Sequence, residues 1–184
     1  MLSITIRWDV IFIELFVIFI ESFVILLLIL LIGFIFILKF KKCVKAHNMK
    51  KWNYILRQKF VLKALSKSTK LYNDCMYLLA RANFELYNDK EFEVYVDKIN
   101  SSTLLAKKNF LKISYIIIQG NNISVINDLM NELKLLNDEQ SKKYYLVCDL
   151  LYKTKFEKYA CSTDENNTIK SLLSDRISIE ILGK

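Results

Sequence analysis

SFVILLLILLIGFIFIL, residues 22–38, runs for seventeen residues without a charge, and the basic run Lys39-Phe40-Lys41-Lys42 follows it directly. Working back towards the N-terminus, the apolar character persists to Val10, broken only by Glu14, Glu21 and Ser22. A helix over those 29 residues would be ~43 Å long, against a hydrocarbon core of ~30 Å. The stretch is therefore expected to cross a bilayer with length to spare. A cleaved signal peptide fits poorly: the run exceeds the ~7 to 15 residues of such a segment, and no alanine occurs before Ala46. Arg7 stands alone before the helix, whereas Lys39, Lys41, Lys42, Lys45, Lys50 and Lys51 crowd its exit. Positive charge stays on the cytoplasmic side, so the expected topology is single-pass, N-terminus outside and C-terminal domain cytoplasmic.

The surplus charge is confined to one block. From Lys39 to Lys70 there are eleven cations, and no acid lies between Glu21 and Asp74; from Leu71 onward 15 basic residues face 16 acidic ones. The block suits anionic lipid headgroups, with Lys39, Lys41, Lys42, Lys45, Lys50 and Lys51 as the expected contacts. Aromatic residues among lysines also suit nucleic acid, but a position beside a bilayer makes lipid the simpler partner. Arg7, Glu14 and Glu21 are spaced by seven and share one helical stripe. Glu14 and Glu21 either contact another membrane subunit or lie in water on an interfacial segment; the sequence leaves both open.

The chain contains no proline and only three glycines, Gly33, Gly120 and Gly183. So few breaks favour long helices over a β-fold that needs turn residues. Cys43 to Ser66 reads as one basic helix leaving the membrane. Ser68-Thr69 caps a helix to Tyr87, and Asn88-Asp89 opens another with Phe92, Tyr95, Val96 and Ile99 at helical spacing. The alternation over 91–97 also suits a strand, which would have no neighbour to pair with. Asn100-Ser101-Ser102 starts a helix that Gly120 ends. Asn121-Asn122 opens the next, with Ile126, Leu129, Met130 and Leu133 on one face. Asn137-Asp138 begins another through Lys153, and a shorter helix is expected from Phe156. Ile169, Leu172, Leu173 and Ile177 suit a last helix, although RISIEIL at 176–182 alternates as a strand would.

The resulting organisation is all-α: residues 1–45 as N-terminal segment and transmembrane helix, 46–70 as a basic membrane-proximal helix, 71–184 as an antiparallel helical-hairpin domain. Phe92, Ile123 and Phe156, spaced by 31 and 33, follow the successive breaks, and a period in this range marks stacked helix pairs. On these residues, with Phe110, Ile113, Ser114, Ile117 and Gly120 in the middle unit, the chain resembles the tetratricopeptide repeat family. It departs from the family's pattern at Tyr95, Ile126 and Tyr159, where a small residue is usual. The resemblance implies that the first helices of successive pairs line a groove for a partner's peptide or helix, with Asn83, Tyr87, Lys108, Lys112, Tyr115 and Tyr144 as candidate lining. A non-repetitive helical bundle is the alternative.

Catalytic chemistry is not expected. His47 is the only histidine and lies near the membrane, no phosphate-cradling glycine loop is present, and Glu91, Glu93 and Asp97 suit a helix N-terminus. Cys43, Cys75, Cys148 and Cys161 contain no C-x-x-C pair, so no metal or other cofactor is expected and the thiols read as reduced. What remains is binding of protein partners at the cytoplasmic face by a membrane-anchored scaffold. The alternative is an accessory subunit of a transporter or secretion complex, held through its transmembrane helix. No small-molecule substrate or nucleic acid is expected.

Overall fold

The structure, a computed structural model, describes residues 8–67, 70–162, 164–165 and 175–182, and for 8–13, 175 and 182 the backbone alone. The expected cap at Ser68-Thr69, the apolar group Ile169, Leu172 and Leu173, and Arg7 lie outside the described residues. Among those described, every regular element is helical and no strand occurs. In order they are α1 (Trp8–Asn48), α2 (Trp52–Arg57), α3 (Lys59–Leu65), α4 (Tyr72–Glu85), α5 (Asp89–Asp97), a 3-10 turn (Ser102–Leu104), α6 (Leu105–Gln119), α7 (Ile123–Leu136), α8 (Glu139–Phe156) and α9 (Asp175–Leu182).

The chain divides into two compact units, Met1–Lys42 and Cys43–Lys184. In the first, α1 is long and apolar enough to cross a membrane. Its large side chains from Leu15 to Leu38, apart from the half-buried Phe36, are exposed on all sides, Phe19 at 68% and Leu30 at 60%. No amphipathic stripe could satisfy them in water, because the apolar residues encircle the helix.

The second unit holds the core. α1 from Cys43 onward belongs to it, with Cys43 and Ala46 buried and the His47 ring against Trp52 and Tyr77 at 5.4 and 5.7 Å. Here the expected single basic helix is broken. Lys50 turns to φ 54°, and Lys51 N donates to Ala46 O while Lys50 N donates to His47 O, closing α1 as a Schellman motif. The chain then continues as the short α2 and α3, both packed on α4.

α4 is the most enclosed helix, buried at ten positions from Cys75 to Glu85. Its small residues Ala80 and Ala82 let neighbours approach, and Phe84 fills the space against Phe92 of α5, rings 5.4 Å apart. It ends as α1 does: Asn88 N donates to Asn83 O, Tyr87 N to Phe84 O, and Tyr87 takes φ 60°. α5 then packs on α4, and Asn73 at the start of α4 accepts a 2.7 Å bond from Asn100 N just beyond α5. The alternation over 91–97 is thus helical, as the lack of a strand partner indicated.

α6 is the second hub. Ile113 and Ile117 are fully buried, and Gly120 at φ 68° ends the helix in the left-handed cap expected of it. α7 packs on α6, and α8 packs on both. Asp138 caps α8 with its carboxylate on Ser141 N at 2.9 Å and on the Ser141 hydroxyl. The expected short helix from Phe156 does not start there. With no breaker between Gln140 and Lys155, α8 propagates to Phe156, whose ring meets Tyr152 one turn earlier at 5.0 Å. Phe92 inside α5, Ile123 opening α7 and Phe156 closing α8 therefore occupy unlike places despite their near-regular spacing. RISIEIL resolves as the helix α9, with Arg176 and Ile177 buried and Ile179 exposed.

Candidate partner-binding surface

α9 contacts α4, α6 and α8, the first helices of the pairs expected from the sequence. Its anchor is Arg176, 3% exposed. Nη1 donates to Phe84 O at 2.7 Å and to Asp89 Oδ1 at 2.8 Å, and the backbone N of Arg176 approaches Glu85 Oε2 at 3.5 Å. The guanidinium also lies over the rings of Tyr87 and Phe84, 4.5 and 5.0 Å from their centroids. Charge, a planar fork and ring stacking all act on one group, a combination that lysine cannot reproduce. Asp89 shares its other oxygen with Gln119 Nε2 at 2.9 Å, which ties α6 to the same carboxylate. Beside it, Arg81 Nε and Glu85 Oε1 stand 2.9 Å apart as a buried ion pair, out of line for a hydrogen bond.

The socket depends on the end of α4. Because the helix stops there, Phe84 O accepts from Tyr87 N at 3.3 Å and keeps its second lone pair for Arg176, and Tyr87 in the left-handed region sets its ring over the guanidinium. A bulky side chain is uncommon at such a φ and is held only by its surroundings.

A separate cleft of about 290 Å³ lies between α5, α6 and α7. Two polar ties cross it from α6 to α5, Lys112 Nζ to Asp97 Oδ1 at 2.6 Å and Tyr115 Oη donating to Glu93 Oε1 at 3.0 Å. Phe92 packs on the Tyr115 ring at 4.9 Å. Burial, and then the bond to Glu93, push the Tyr115 hydroxyl up to about 12, so it remains a donor at neutral pH.

The six groove candidates from the sequence do not converge. Tyr87 lies in the Arg176 socket, and Lys112 and Tyr115 line the α5–α7 cleft. Asn83 is buried and donates to Leu79 O within its own helix at 2.8 Å. Tyr144 is buried and stacked on Phe110 at 4.8 Å, accepting from Gln140 Nε2, and its hydroxyl too is raised to about 12 by burial. Lys108 donates to Ile99 O at 2.7 Å, and burial lowers its ammonium below the usual value. Glu14 and Glu21 are exposed on α1, and Lys39, Lys41, Lys42, Lys45, Lys50 and Lys51 are all exposed. Among the described residues no three His, Cys, Asp or Glu side chains gather as metal ligands. Of Arg176, Asp89, Glu85 and the Phe84 carbonyl, which meet in one polar contact, the sequence singled out only Asp89, as part of a helix start, and no local pattern joined them. The only hint was the apolar content of 176–182.

No family model, curated protein or solved structure matches this chain.

Proposed function

We propose that the chain is a single-pass membrane protein, N-terminus outside, whose cytoplasmic helical domain recruits partner proteins to the membrane surface. The observation that carries this reading is the pairing of opposites in one chain: a helix exposing apolar side chains all round from Leu15 to Leu38, and a domain that buries its own. Lipid is the medium that removes the first set from water. The exposed lysines at 39, 41, 42, 45, 50 and 51 then meet anionic headgroups. A tetratricopeptide-like use of the domain draws on the packing of α4 on α5 and α6 on α7, with α8 beside α6 and α7 and α9 across α4, α6 and α8. Recruitment rather than catalysis suits a surface whose polar groups are engaged in ties between helices.

A second reading is favoured by Glu14 and Glu21, which lie exposed on α1 seven residues apart. It makes the chain an accessory subunit of a membrane complex, held by those carboxylates. Photo-crosslinkers placed at Lys112, Tyr115, Glu14 and Glu21 of the full chain in its native membrane separate the two. Recruitment gives protein adducts from Lys112 or Tyr115 that persist when Glu14→Leu and Glu21→Leu are combined. Adducts from positions 14 and 21 alone, lost in that double variant, would replace it with the subunit reading.

A further inference from the structure

α9 is attached to the domain in an unusual way. It is an eight-residue helix, short for independent stability, and its hold rests on Arg176 and Ile177, 3% and 0% exposed, while Ile179 is 58% exposed. The residues that receive Arg176 lie 87 to 92 positions earlier in the chain. The contact thus resembles a bound ligand more than a local turn. Among the described residues it is also incomplete: Nη1 makes both side-chain hydrogen bonds, and the buried Arg176 Nε has no hydrogen-bond partner. A buried donor left unmade weakens the contact relative to an occupant that satisfies it.

Removing α9 would leave a defined cradle. It has the Phe84 carbonyl, the Asp89 and Glu85 carboxylates and the Phe84 and Tyr87 rings, with a fully buried apolar site for Ile177 next to it. The Asp89 carboxylate, a carbonyl and two ring faces fit a guanidinium, while Glu85, paired with Arg81, faces the backbone N–H of the same residue, Arg176. Tyr87, held at φ 60° where a tyrosine is strained, supplies one of those faces.

We propose that this cradle is a docking site for an amphipathic helix of a partner protein, presenting an arginine followed by a β-branched apolar residue, and that α9 is the built-in occupant such a helix displaces. The proposal rests on the recruitment reading above and names the partner's chemistry. In the resting chain α9 covers the site, so the partner's apparent affinity is reduced by the fraction of chains in which the cradle is empty.

The test uses the full chain in detergent micelles and a labelled synthetic peptide of residues 171–184. Arg176→Ala is expected to bind the peptide at least about tenfold more tightly than the unmodified chain. A peptide with alanine in place of its arginine should not bind, and adding Asp89→Ala to Arg176→Ala should abolish the gain. An Arg176→Ala chain with unchanged far-ultraviolet dichroism and no peptide binding would overturn the proposal. So would loss of its cooperative thermal transition, which would make α9 an integral part of the core. Hydrogen exchange on the unmodified chain gives an independent reading: α9 amides are expected to exchange while α4 and α6 stay protected, and α9 opening only with the whole domain would contradict the proposal. A concentration-dependent dimer of the unmodified chain, lost in Arg176→Ala, would assign the cradle to a second copy and overturn the partner assignment. Failure of the peptide would leave crosslinks from Lys112 and Tyr115 untouched, since they line a different cleft, so the two proposals fail separately.

Discussion

Leu28 in α1 and Ile113 in α6 are similar side chains on long helices, yet one is 53% exposed and the other fully buried. The contrast extends to the whole of each unit. From Leu15 to Leu38 the large apolar residues other than Phe36 are exposed, whereas α4 and α6 enclose Leu79, Phe84, Ile113 and Ile117 among other helices. Burying such a side chain is worth roughly 1.5–3 kcal/mol. The domain gains that from its own packing, and α1 must gain it from a surrounding medium. Apolar content alone does not distinguish the cases; what does is whether polar positions recur at helical spacing. In α6, Lys108, Lys112 and Gln119 give the helix a polar side, half-buried at the two lysines and exposed at Gln119, while 23–38 has none.

The largest expected effect sharpens this contrast directly. Ile113→Ala should destabilise the domain by ~2–5 kcal/mol, read from urea denaturation followed by far-ultraviolet dichroism, while Leu28→Ala should leave the same transition within about 0.5 kcal/mol. Equal losses from both would mean that the two units share one core. A smaller effect is expected where α1 enters the domain. Lys50 sits at φ 54°, a conformation that costs a non-glycine residue ~1–2 kcal/mol, partly offset by glycine's greater freedom in the unfolded chain. Lys50→Gly should therefore raise domain stability by up to about 1 kcal/mol and leave membrane association unchanged; a loss would show that the lysine side chain outweighs the strain.

The smallest expected effect is pH-dependent and confined to the domain. The Ser141 hydroxyl and amide hold the Asp138 carboxyl below its usual value. A group depressed in the folded state stabilises it above the unfolded-state value of ~3.9 and loses that contribution as pH falls through the folded value. Asp138→Asn keeps a capping side chain without the titration. Its melting temperature should lie slightly below the unmodified chain's at pH 7, with the gap closing at the acid end. A gap that widens on acidification would contradict the assignment.

How much of this was legible in the sequence depended on the kind of residue that carried each feature. Gly120 and Asp138 announced a helix end and a helix start because their chemistry is dedicated to those places. The stop after Asn48 was hidden, since its left-handed position is filled by Lys50 rather than glycine, whereas the break after α4 was marked by Asn88-Asp89 even though Tyr87 takes the left-handed position there. The expected single basic helix over 43–66 was therefore one piece where the structure has three. Phe156 misled for the converse reason: a regular spacing of large residues says nothing about helix phase when no breaker intervenes. The Arg176 socket was out of reach of local reading. It joins Arg176 to a backbone carbonyl 92 positions earlier and to side chains 87 and 91 positions earlier, and neither periodicity nor composition encodes such a pairing.

The central proposal is that α1 up to Leu38 is satisfied by lipid and the domain from Cys43 onward by itself. Alkaline carbonate extraction of membranes carrying the full chain tests it most directly, comparing the unmodified protein with Leu27→Arg combined with Leu30→Arg. The unmodified chain should remain with the membrane pellet, and the double variant should pass to the supernatant with the thermal transition of its domain unchanged. An unmodified chain extracted by carbonate as a soluble species would show that α1 finds protein rather than lipid as its partner, and would contradict the account.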